Sequence, residues 1–298
     1  MKIDGKGRSK NIDDRRGSRG GGRMTGRSKA AGGFGIGTIL IIIVVALLGG
    51  DIQDFLGAAD GGGGLTAPAQ PTTTGGLVDN NDRNAEIVSA TLYDTEQYWG
   101  RIFPQEYGRR YEEPVLVLFR DKTNSGCGFA SSATGPFYCP ADRKVYIDLS
   151  FVDLLRRRFN APGEFALAYV VAHEVGHHIQ NQLGYSQQVS QARRRMREKD
   201  ANVMSVRLEL QADYLAGVWA HYAENYSDLL EENQFKEAIQ AASAIGDDAI
   251  QKQSQGYVVP DSFTHGTSEQ RVRYFYAGYK SGDASKKALD YFFSAQEL

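Results

Sequence analysis

The chain has 298 residues, enough for one large domain or two small ones, and its 41% hydrophobic and 23% charged residues are ordinary for a globular protein. Its net charge of −2 conceals an asymmetry, because residues 1–29 hold ten Lys or Arg and three Asp, so that they carry +7 and the remainder −9. An acidic body of this kind gives no reason to expect nucleic acid as a partner.

A run of 21 residues without a charge, residues 30–50, follows the basic leader over residues 1–29. This length is sufficient for one helix across a bilayer. Because the basic side is N-terminal, the positive-inside rule predicts that the leader lies in the cytoplasm and that everything after Asp51 lies outside. A cleaved signal peptide is the alternative. We favour an uncleaved, single-pass anchor in the cytoplasmic membrane, since the basic leader is long for a signal peptide.

Residues 51–83 are rich in Gly, Thr, Pro and Ala and contain almost no side chains to bury. They are predicted to form a flexible linker that holds a domain away from the membrane. The folded domain is then expected over residues 84–298, a length that is enough for a single hydrophobic core.

The first predicted element of this domain is a helix within residues 85–103, where apolar residues recur near helical spacing. The sequences PVLVLF and KVYIDLS, residues 114–119 and 144–150, are typical of short strands bounded by turn residues. The C-terminal part is helical in pattern, with helices predicted over 187–224, over 232–252 and twice more after residue 268. The expected fold class is α+β, a mainly helical domain with a small β-sheet.

The two cysteines of the chain, Cys127 and Cys139, lie in a loop rich in Gly and Ser between the two predicted strands. Since the predicted topology places this loop outside the cytoplasm, a disulfide is the leading interpretation, and the chain-entropy model gives such a bond about 3 kcal/mol. Two free buried thiols are the alternative. A structural zinc site is not expected here, because two cysteines without nearby partners cannot complete a tetrahedron.

Three of the five histidines lie within six consecutive residues of the apolar segment LAYVVAHEVGHHIQNQL, residues 167–183. On a helix, His173 and His177 stand one turn apart on the same face, so both imidazoles can bind one metal ion. Glu174 lies between them, in the H-E-x-x-H pattern in which the glutamate acts as general base. The alternative, a polar patch on a surface helix, conflicts with the apolar flanks, because buried imidazoles and carboxylates cost free energy without partners.

Catalytic zinc needs a third protein ligand, and the segment LELQADYLAGVWA, residues 208–220, provides candidates. Glu209 and Asp213 are four residues apart on one helical face. Two unpaired carboxylates there would repel each other and lose hydration, and a divalent cation removes both problems. Glu209 is therefore predicted as the third ligand, and Asp213 as the acceptor for the N–H of a ligand histidine. The alternative is the solvated face of a surface helix.

These two motifs resemble those of the gluzincins, zinc peptidases whose third ligand is the first residue of E-x-x-x-D. More closely, nearly the whole chain resembles the bacterial neutral zinc metallopeptidase family. Besides the two helical motifs, the similar segments are the leader with DDRRG, the single uncharged segment, GPFYCPADRKVYIDLSF and DSFTHGTSEQRVRYFYAGY. The resemblance implies a zincin-like α+β domain with Zn²⁺ as its cofactor, preceded here by one transmembrane helix.

In related gluzincins, a histidine and a nearby arginine of a similar segment lie near the site. The resemblance therefore implies that His265 and Arg271 assist catalysis by stabilising an oxyanion. The alternative is a histidine beside a helix cap and a surface arginine, since Thr267 and Gln270 fit a capping box at the start of the next helix.

The sequence as a whole predicts a membrane-anchored zinc metallopeptidase that hydrolyses peptide bonds of a protein or peptide substrate outside the cytoplasmic membrane. Zinc held by His173, His177 and Glu209 would activate a water, and Glu174 would take its proton. The strand in KVYIDLS is expected to offer an edge to which an extended peptide adds. A metal-stabilised, non-catalytic module that binds envelope proteins is the alternative from another class, and a hydrolase of a non-peptide bond is a third.

Overall fold

The computed structural model describes residues 1–16, 82–131, 134–150, 163–231 and 234–296. The strands are β1 (Ile12–Asp14), β2 (Val115–Phe119), β3 (Lys122–Ser125), β4 (Gly128–Ser131), β5 (Phe137–Cys139) and β6 (Lys144–Asp148). The helices are α1 (Arg83–Tyr107), α2 (Glu164–Leu183), α3 (Tyr185–Arg193), α4 (Glu198–Asn225), α5 (Phe235–Ala244), α6 (Asp247–Gln255), α7 (Ser268–Ser281) and α8 (Lys286–Ser294). The predicted α+β class with a mainly helical domain is confirmed.

Four strands form one sheet in the order β1–β2–β6–β5, and β3 and β4 form a separate hairpin. β1, β2 and β6 are parallel, whereas β5 runs antiparallel to β6. Because side chains alternate along a strand, Leu116 and Leu118 enter the main core among the helices, while Val117 and Phe119 pack with Cys139 on the other face. The strand of KVYIDLS, β6, lies between β2 and β5, so the expectation that it offers an edge is wrong; β5 forms that edge.

Helix α4 lies at the centre of the helical layer, with α2 and α7 packed against it. The close approach depends on glycine. A Cβ on Gly176 of α2 would lie 3.1 Å from the backbone oxygen of Ala212, and one on Gly217 of α4 would lie 2.0 Å from that of Phe275. The absence of these side chains lets three helices approach closely enough for their polar side chains to meet.

Two predicted helices are each divided in the structure. The predicted helix over 187–224 is interrupted between α3 and α4 at residues 194–197, where three arginines stand among four residues and like charges disfavour a continuous helix. The predicted helix over 232–252 is interrupted at Gly246, where a Cβ would lie 2.3 Å from the backbone nitrogen of Ser268. The second break therefore lets the chain pass the start of α7.

The predicted disulfide between Cys127 and Cys139 is present, with their Cα atoms 5.8 Å apart. It joins the turn of the β3–β4 hairpin to the edge strand β5. Asp142 stabilises the same turn, because its carboxylate accepts hydrogen bonds from the Gly126 backbone N–H at 2.6 Å and from the Tyr146 hydroxyl of β6 at 2.6 Å.

Residues 1–16 are part of this fold and not a separate leader. β1 pairs with β2, with Ile12 opposite Leu116, and the side chains of Ile3 and Ile12 are completely buried in the main core. The folded domain therefore includes these residues, and its predicted start at residue 84 is wrong in this respect. A three-residue strand flanked by charges shows no periodicity that would identify it.

Polar contacts attach the same residues to two further parts of the domain. The carboxylate of Glu96 in α1 accepts hydrogen bonds from Ser9 Oγ at 2.7 Å and from Asn11 Nδ2 at 2.9 Å. The backbone N–H of Lys2 donates to the carbonyl of Leu229, beyond the end of α4, at 3.0 Å. Residues 1–16 thus contact the sheet, α1 and the chain that follows α4.

No helix within the described part of the chain is long and apolar enough to cross a membrane. The predicted transmembrane helix over residues 30–50 and the predicted linker up to residue 81 lie outside the described residues. Both stay predictions.

Replacing Ile12 by alanine tests whether residues 1–16 belong to the fold. Because Ile12 is fully buried against β2, Ile12→Ala should lower the free energy of unfolding of the full chain by about 2–5 kcal/mol. Lys10→Ala, two residues away and exposed, should change it by no more than about 0.5 kcal/mol. The measurement is urea-induced unfolding followed by circular dichroism. Equal, negligible effects of both substitutions would show that these residues form a separate leader.

The raised pKa of Glu96 predicts that the stability of the fold depends on pH. Burial raises its pKa to about 7, against the hydrogen bonds from Asn11 and Ser9, which favour the ionised form. Since the pKa of a glutamate in the unfolded chain is 4.5, the free energy of unfolding should fall as the pH rises from 4.5 to 7. Glu96→Gln should remove that loss and stabilise the protein at pH 8 by roughly 1–3 kcal/mol.

The measurement is the free energy of unfolding of both proteins at pH 5 and pH 8. Glu106→Gln, on an exposed part of the same helix, is the matched control and should keep the wild-type pH dependence. A Glu96→Gln variant that loses stability between the two pH values as steeply as the wild type would contradict the assignment.

Candidate metal centre

Helix α2 forms because residues 164–183 are predominantly apolar, and it buries most of its side chains in the main core. As the spacing predicts, His173 and His177 lie one turn apart on the side of α2 that faces α4. Glu174 follows His173 and is 7% exposed. The carboxylate of Glu174 forms no hydrogen bond with any of the described residues, so it is available to a molecule that enters the site.

Helix α4 adds the third predicted ligand. The Oε2 atom of Glu209 lies 3.3 Å from Nε2 of His173 and 3.5 Å from Nε2 of His177. The ligand atoms of the three residues all lie within 4.8 Å of one another. The packing of Gly176 against Ala212 is what permits this convergence, since it sets the separation of the two helices.

The three donors fit a zinc ion. Donors that bind zinc tetrahedrally at about 2.0–2.1 Å lie about 3.4 Å from one another. The two separations from Glu209 match that edge length. Two imidazole nitrogens and one carboxylate oxygen also form the donor set of a common class of catalytic zinc sites, which leave the fourth position for water or substrate.

Each histidine is oriented by a hydrogen bond at its other ring nitrogen. Nδ1 of His173 lies 2.8 Å from Oδ1 of Asp213, as predicted, and Nδ1 of His177 lies 2.8 Å from Oε1 of Gln180. Gln180 is itself held, because its amide donates to the carbonyl of Leu208 at 2.6 Å. When both Nδ1 atoms carry the proton, both Nε2 atoms present lone pairs towards Glu209.

Arg271 of α7 lies against Asp213, behind His173. Its guanidinium donates to Oδ2 of Asp213 at 2.8 Å and to Oδ1 at 2.9 Å, and a further nitrogen donates to the carbonyl of Ile245 at 3.2 Å. The Tyr169 hydroxyl donates to the same carboxylate at 2.5 Å. Arg271 is 3% exposed, so the alternative of a surface arginine is wrong.

The charged side chains of the site stabilise one another's ionised forms. Burial opposes the ionised form of Asp213, but Arg271 and His173 outweigh it and lower the pKa of Asp213 to about 2. Burial would likewise lower the pKa of His173, yet the carboxylate of Asp213 raises it to about 9. For Glu209, burial is outweighed by the neighbouring histidines, which hold its pKa well below its usual range. The site therefore favours positive charge beside Glu209, whether protons or a divalent cation.

His265, in the loop before α7, lies close enough to Glu209 for the charges of the two side chains to interact. It is 6% exposed, and its Nε2 atom is buried without a hydrogen-bond partner among the described residues. Its Nδ1 atom lies 3.0 Å from Oδ1 of Asp247, the first residue of α6. The second oxygen of Asp247 accepts the backbone N–H groups of Thr264, His265 and Gly266 at 2.7, 2.6 and 3.1 Å.

Sequence reasoning missed two residues that orient the site, Gln180 and Asp247. Gln180 could have been found, since it stands three residues after His177 on the same helix. No sequence signal links Asp247 to His265, eighteen residues away. His178, which follows His177, has a separate structural role, because its ring nitrogens contact the Tyr138 hydroxyl of β5 at 3.0 Å and the Glu112 carbonyl at 2.6 Å.

Comparison with known proteins agrees with this arrangement. The sequence model of the family described as "Putative neutral zinc metallopeptidase" matches residues 1–289. The chain is 44% identical over 290 residues to "Uncharacterized protein YpfJ" of Escherichia coli strain K12, covering 96% of this chain and 97% of the relative. It is 40% identical over 206 residues to "Uncharacterized protein Mb2605" of Mycobacterium bovis, covering 66% and 67%. No solved structure matches the chain.

The contact of Asp213 with His173 predicts the effect of Asp213→Asn on zinc binding. The amide retains an oxygen that can accept the His173 N–H, but it lacks the charge that stabilises the ring and pairs with Arg271. The dissociation constant for zinc should rise about 10–100-fold. Competition with a chelator of known affinity measures it, and Asp261→Asn, at an exposed residue, should leave it unchanged. Unaltered zinc affinity in folded Asp213→Asn protein would contradict the orienting role.

Proposed function

The chain belongs to the neutral zinc metallopeptidase family, and on that premise we propose that it is a zinc-dependent peptidase that hydrolyses peptide bonds with Glu174 as general base. The observation that carries the proposal is the convergence of three ligand atoms, from His173, His177 and Glu209, beside a buried carboxylate without a hydrogen-bond partner among the described residues. A site that served only to stabilise the fold would not need that carboxylate.

The residues divide the chemistry between them. When bound, zinc supplies a Lewis acid that lowers the pKa of a water molecule at the site and polarises a substrate carbonyl. Glu174 accepts the proton that the water loses as it attacks the carbonyl carbon. The same carboxyl group then delivers the proton to the leaving amine. Burial raises the pKa of Glu174, which makes the carboxylate a stronger base than an exposed one.

His265 and Arg271 take different parts in this proposal, although the resemblance to gluzincins implies one shared part. His265 offers a buried Nε2 atom whose ring is held in place by Asp247, so it can donate a hydrogen bond to the oxyanion. The guanidinium of Arg271 is engaged by Asp213 and by the Ile245 carbonyl. Arg271 therefore acts as a positioning residue, which holds Asp213 and through it His173.

The substrate in this proposal is a protein or peptide in extended conformation. β5 is the edge strand of the four-stranded sheet, and it runs antiparallel to its neighbour. The Tyr138 hydroxyl donates to Nδ1 of His178 and accepts from the side-chain amide of Asn181, so both contacts attach this strand to α2, the helix that carries the two proposed histidine ligands. A peptide that added to the free edge of β5 would thus lie beside α2.

Attachment to the cytoplasmic membrane is also part of the proposal. It rests on the sequence, since residues 30–50 are uncharged and long enough to enter the hydrocarbon of a bilayer. Such attachment would restrict the peptidase to substrates at the membrane surface.

Glu174→Gln provides the sharpest test of the mechanism. The variant should retain a single zinc ion per chain, because Glu174 is not a ligand, and should lose about 10²–10⁴-fold in kcat/KM, because the general base is removed. Glu209→Ala should lose both zinc and activity. Glu198→Gln, at the exposed start of α4, is the matched control and should behave as wild type.

The measurements are metal content by atomic spectroscopy and hydrolysis of a fluorogenic peptide library by the full chain. Full activity of Glu174→Gln would rule out the proposed base. Zinc in the wild type and in Glu174→Gln, with no hydrolysis by either, would instead favour the non-catalytic module that binds envelope proteins.

A further inference from the structure

The position of residues 1–16 in the fold restricts the topology that the protein can have at a membrane. They contribute β1 to the sheet, where the Leu116 backbone N–H donates to the Asn11 carbonyl and the Arg15 N–H donates to the Leu118 carbonyl, each at 2.8 Å. Without β1, the buried strand β2 would become an unpaired edge that exposes main-chain hydrogen-bonding groups. The pairing is therefore integral to the sheet.

The described chain stops at Arg16 and resumes at Asp82, and these two residues are in contact. The guanidinium of Arg16 donates to Oδ2 of Asp82 at 2.7 Å. Asp82 is fixed in turn, because its other oxygen accepts the backbone N–H groups of Asn84 and Ala85 at the start of α1. The chain therefore leaves the described fold at Arg16 and re-enters it at Asp82 at one place on the domain.

A single passage through a bilayer is incompatible with this contact. One crossing separates the two flanks of a segment by about 30 Å of hydrocarbon and puts them on opposite sides. The uncharged run over residues 30–50 has 21 residues, enough for one crossing, whereas two crossings require about 40. With residues 1–16 docked as described, the run cannot carry the chain across once and still allow Arg16 to reach Asp82.

We propose that the protein is attached to a membrane with residues 1–16 and the metallopeptidase domain on the same side of it. This arrangement differs from the single-pass topology that the positive-inside rule predicts. That rule assigns sides only to the flanks of a segment that crosses the membrane. The disulfide between Cys127 and Cys139 favours the outer side, since disulfides persist in oxidising compartments.

The test uses two single variants of the full-length protein, each with one reporter cysteine. Lys10→Cys reports on residues 1–16, and Lys287→Cys reports on the metallopeptidase domain. Both lysines are exposed and lie outside the metal centre, and the native cysteines are joined in a disulfide and do not react with maleimides. The variants are labelled with a membrane-impermeant maleimide in sealed membrane vesicles of each orientation. Equal labelling of both cysteines in the same vesicle orientation is expected, and that orientation identifies the side.

Labelling of the two cysteines in opposite orientations would overturn the proposal, and so would recovery of the whole protein in the soluble fraction. A second measurement tests the docking itself. Lys2 and Asp228 form an ion pair at 2.8 Å, so Lys2→Cys with Asp228→Cys should be joined by a short bismaleimide in the membrane-bound protein. The two single variants are the controls, and absence of the intramolecular product would also overturn the proposal.

The outcome is independent of peptidase activity. The same labelling can be done in the Glu174→Gln background, so failure of the proposed catalysis and failure of the proposed topology are separate results.

Discussion

The three candidate zinc ligands keep their positions because of one buried carboxylate, that of Asp213. It has no exposed surface, and it is the point at which α2, α4 and α7 meet, through His173, Tyr169 and Arg271. A buried carboxylate is stable only when its partners supply charge and hydrogen bonds, and removing one partner from a buried ion pair costs about 3–5 kcal/mol. The requirement to satisfy Asp213 therefore holds the three helices, and with them the ligands, in one arrangement.

The parts of the site that the sequence predicts are those with local spacing. His173 and His177 on one helix, and Glu209 and Asp213 on another, each follow from residues four apart on a single face. The partners that orient them are harder to predict, because orientation depends on which distant segments pack together. Asp247 lies on another helix from the loop of His265, and only the folded chain brings their side chains into contact.

The orientation of charged side chains is equally hard to predict from the sequence, because it depends on how the chain packs. The sequence shows that Arg271 is near His265, but it does not show that the guanidinium turns towards Asp213. In the same way, the positive charge of residues 1–29 predicts a cytoplasmic leader, whereas two isoleucines among those charges, Ile3 and Ile12, are buried in the core. Net charge describes a segment on average, and burial is decided side chain by side chain.

The pairing of β1 with β2 has a consequence for biosynthesis. β1 ends at residue 14, and its partner begins only at residue 115, so roughly a hundred residues must be synthesised before the two strands can meet. At about 5–20 residues per second, the first strand waits for several seconds without a partner. The uncharged run over residues 30–50 also leaves the ribosome during that interval. Closure of the sheet is therefore a late step of folding, which cannot precede the synthesis of residue 115.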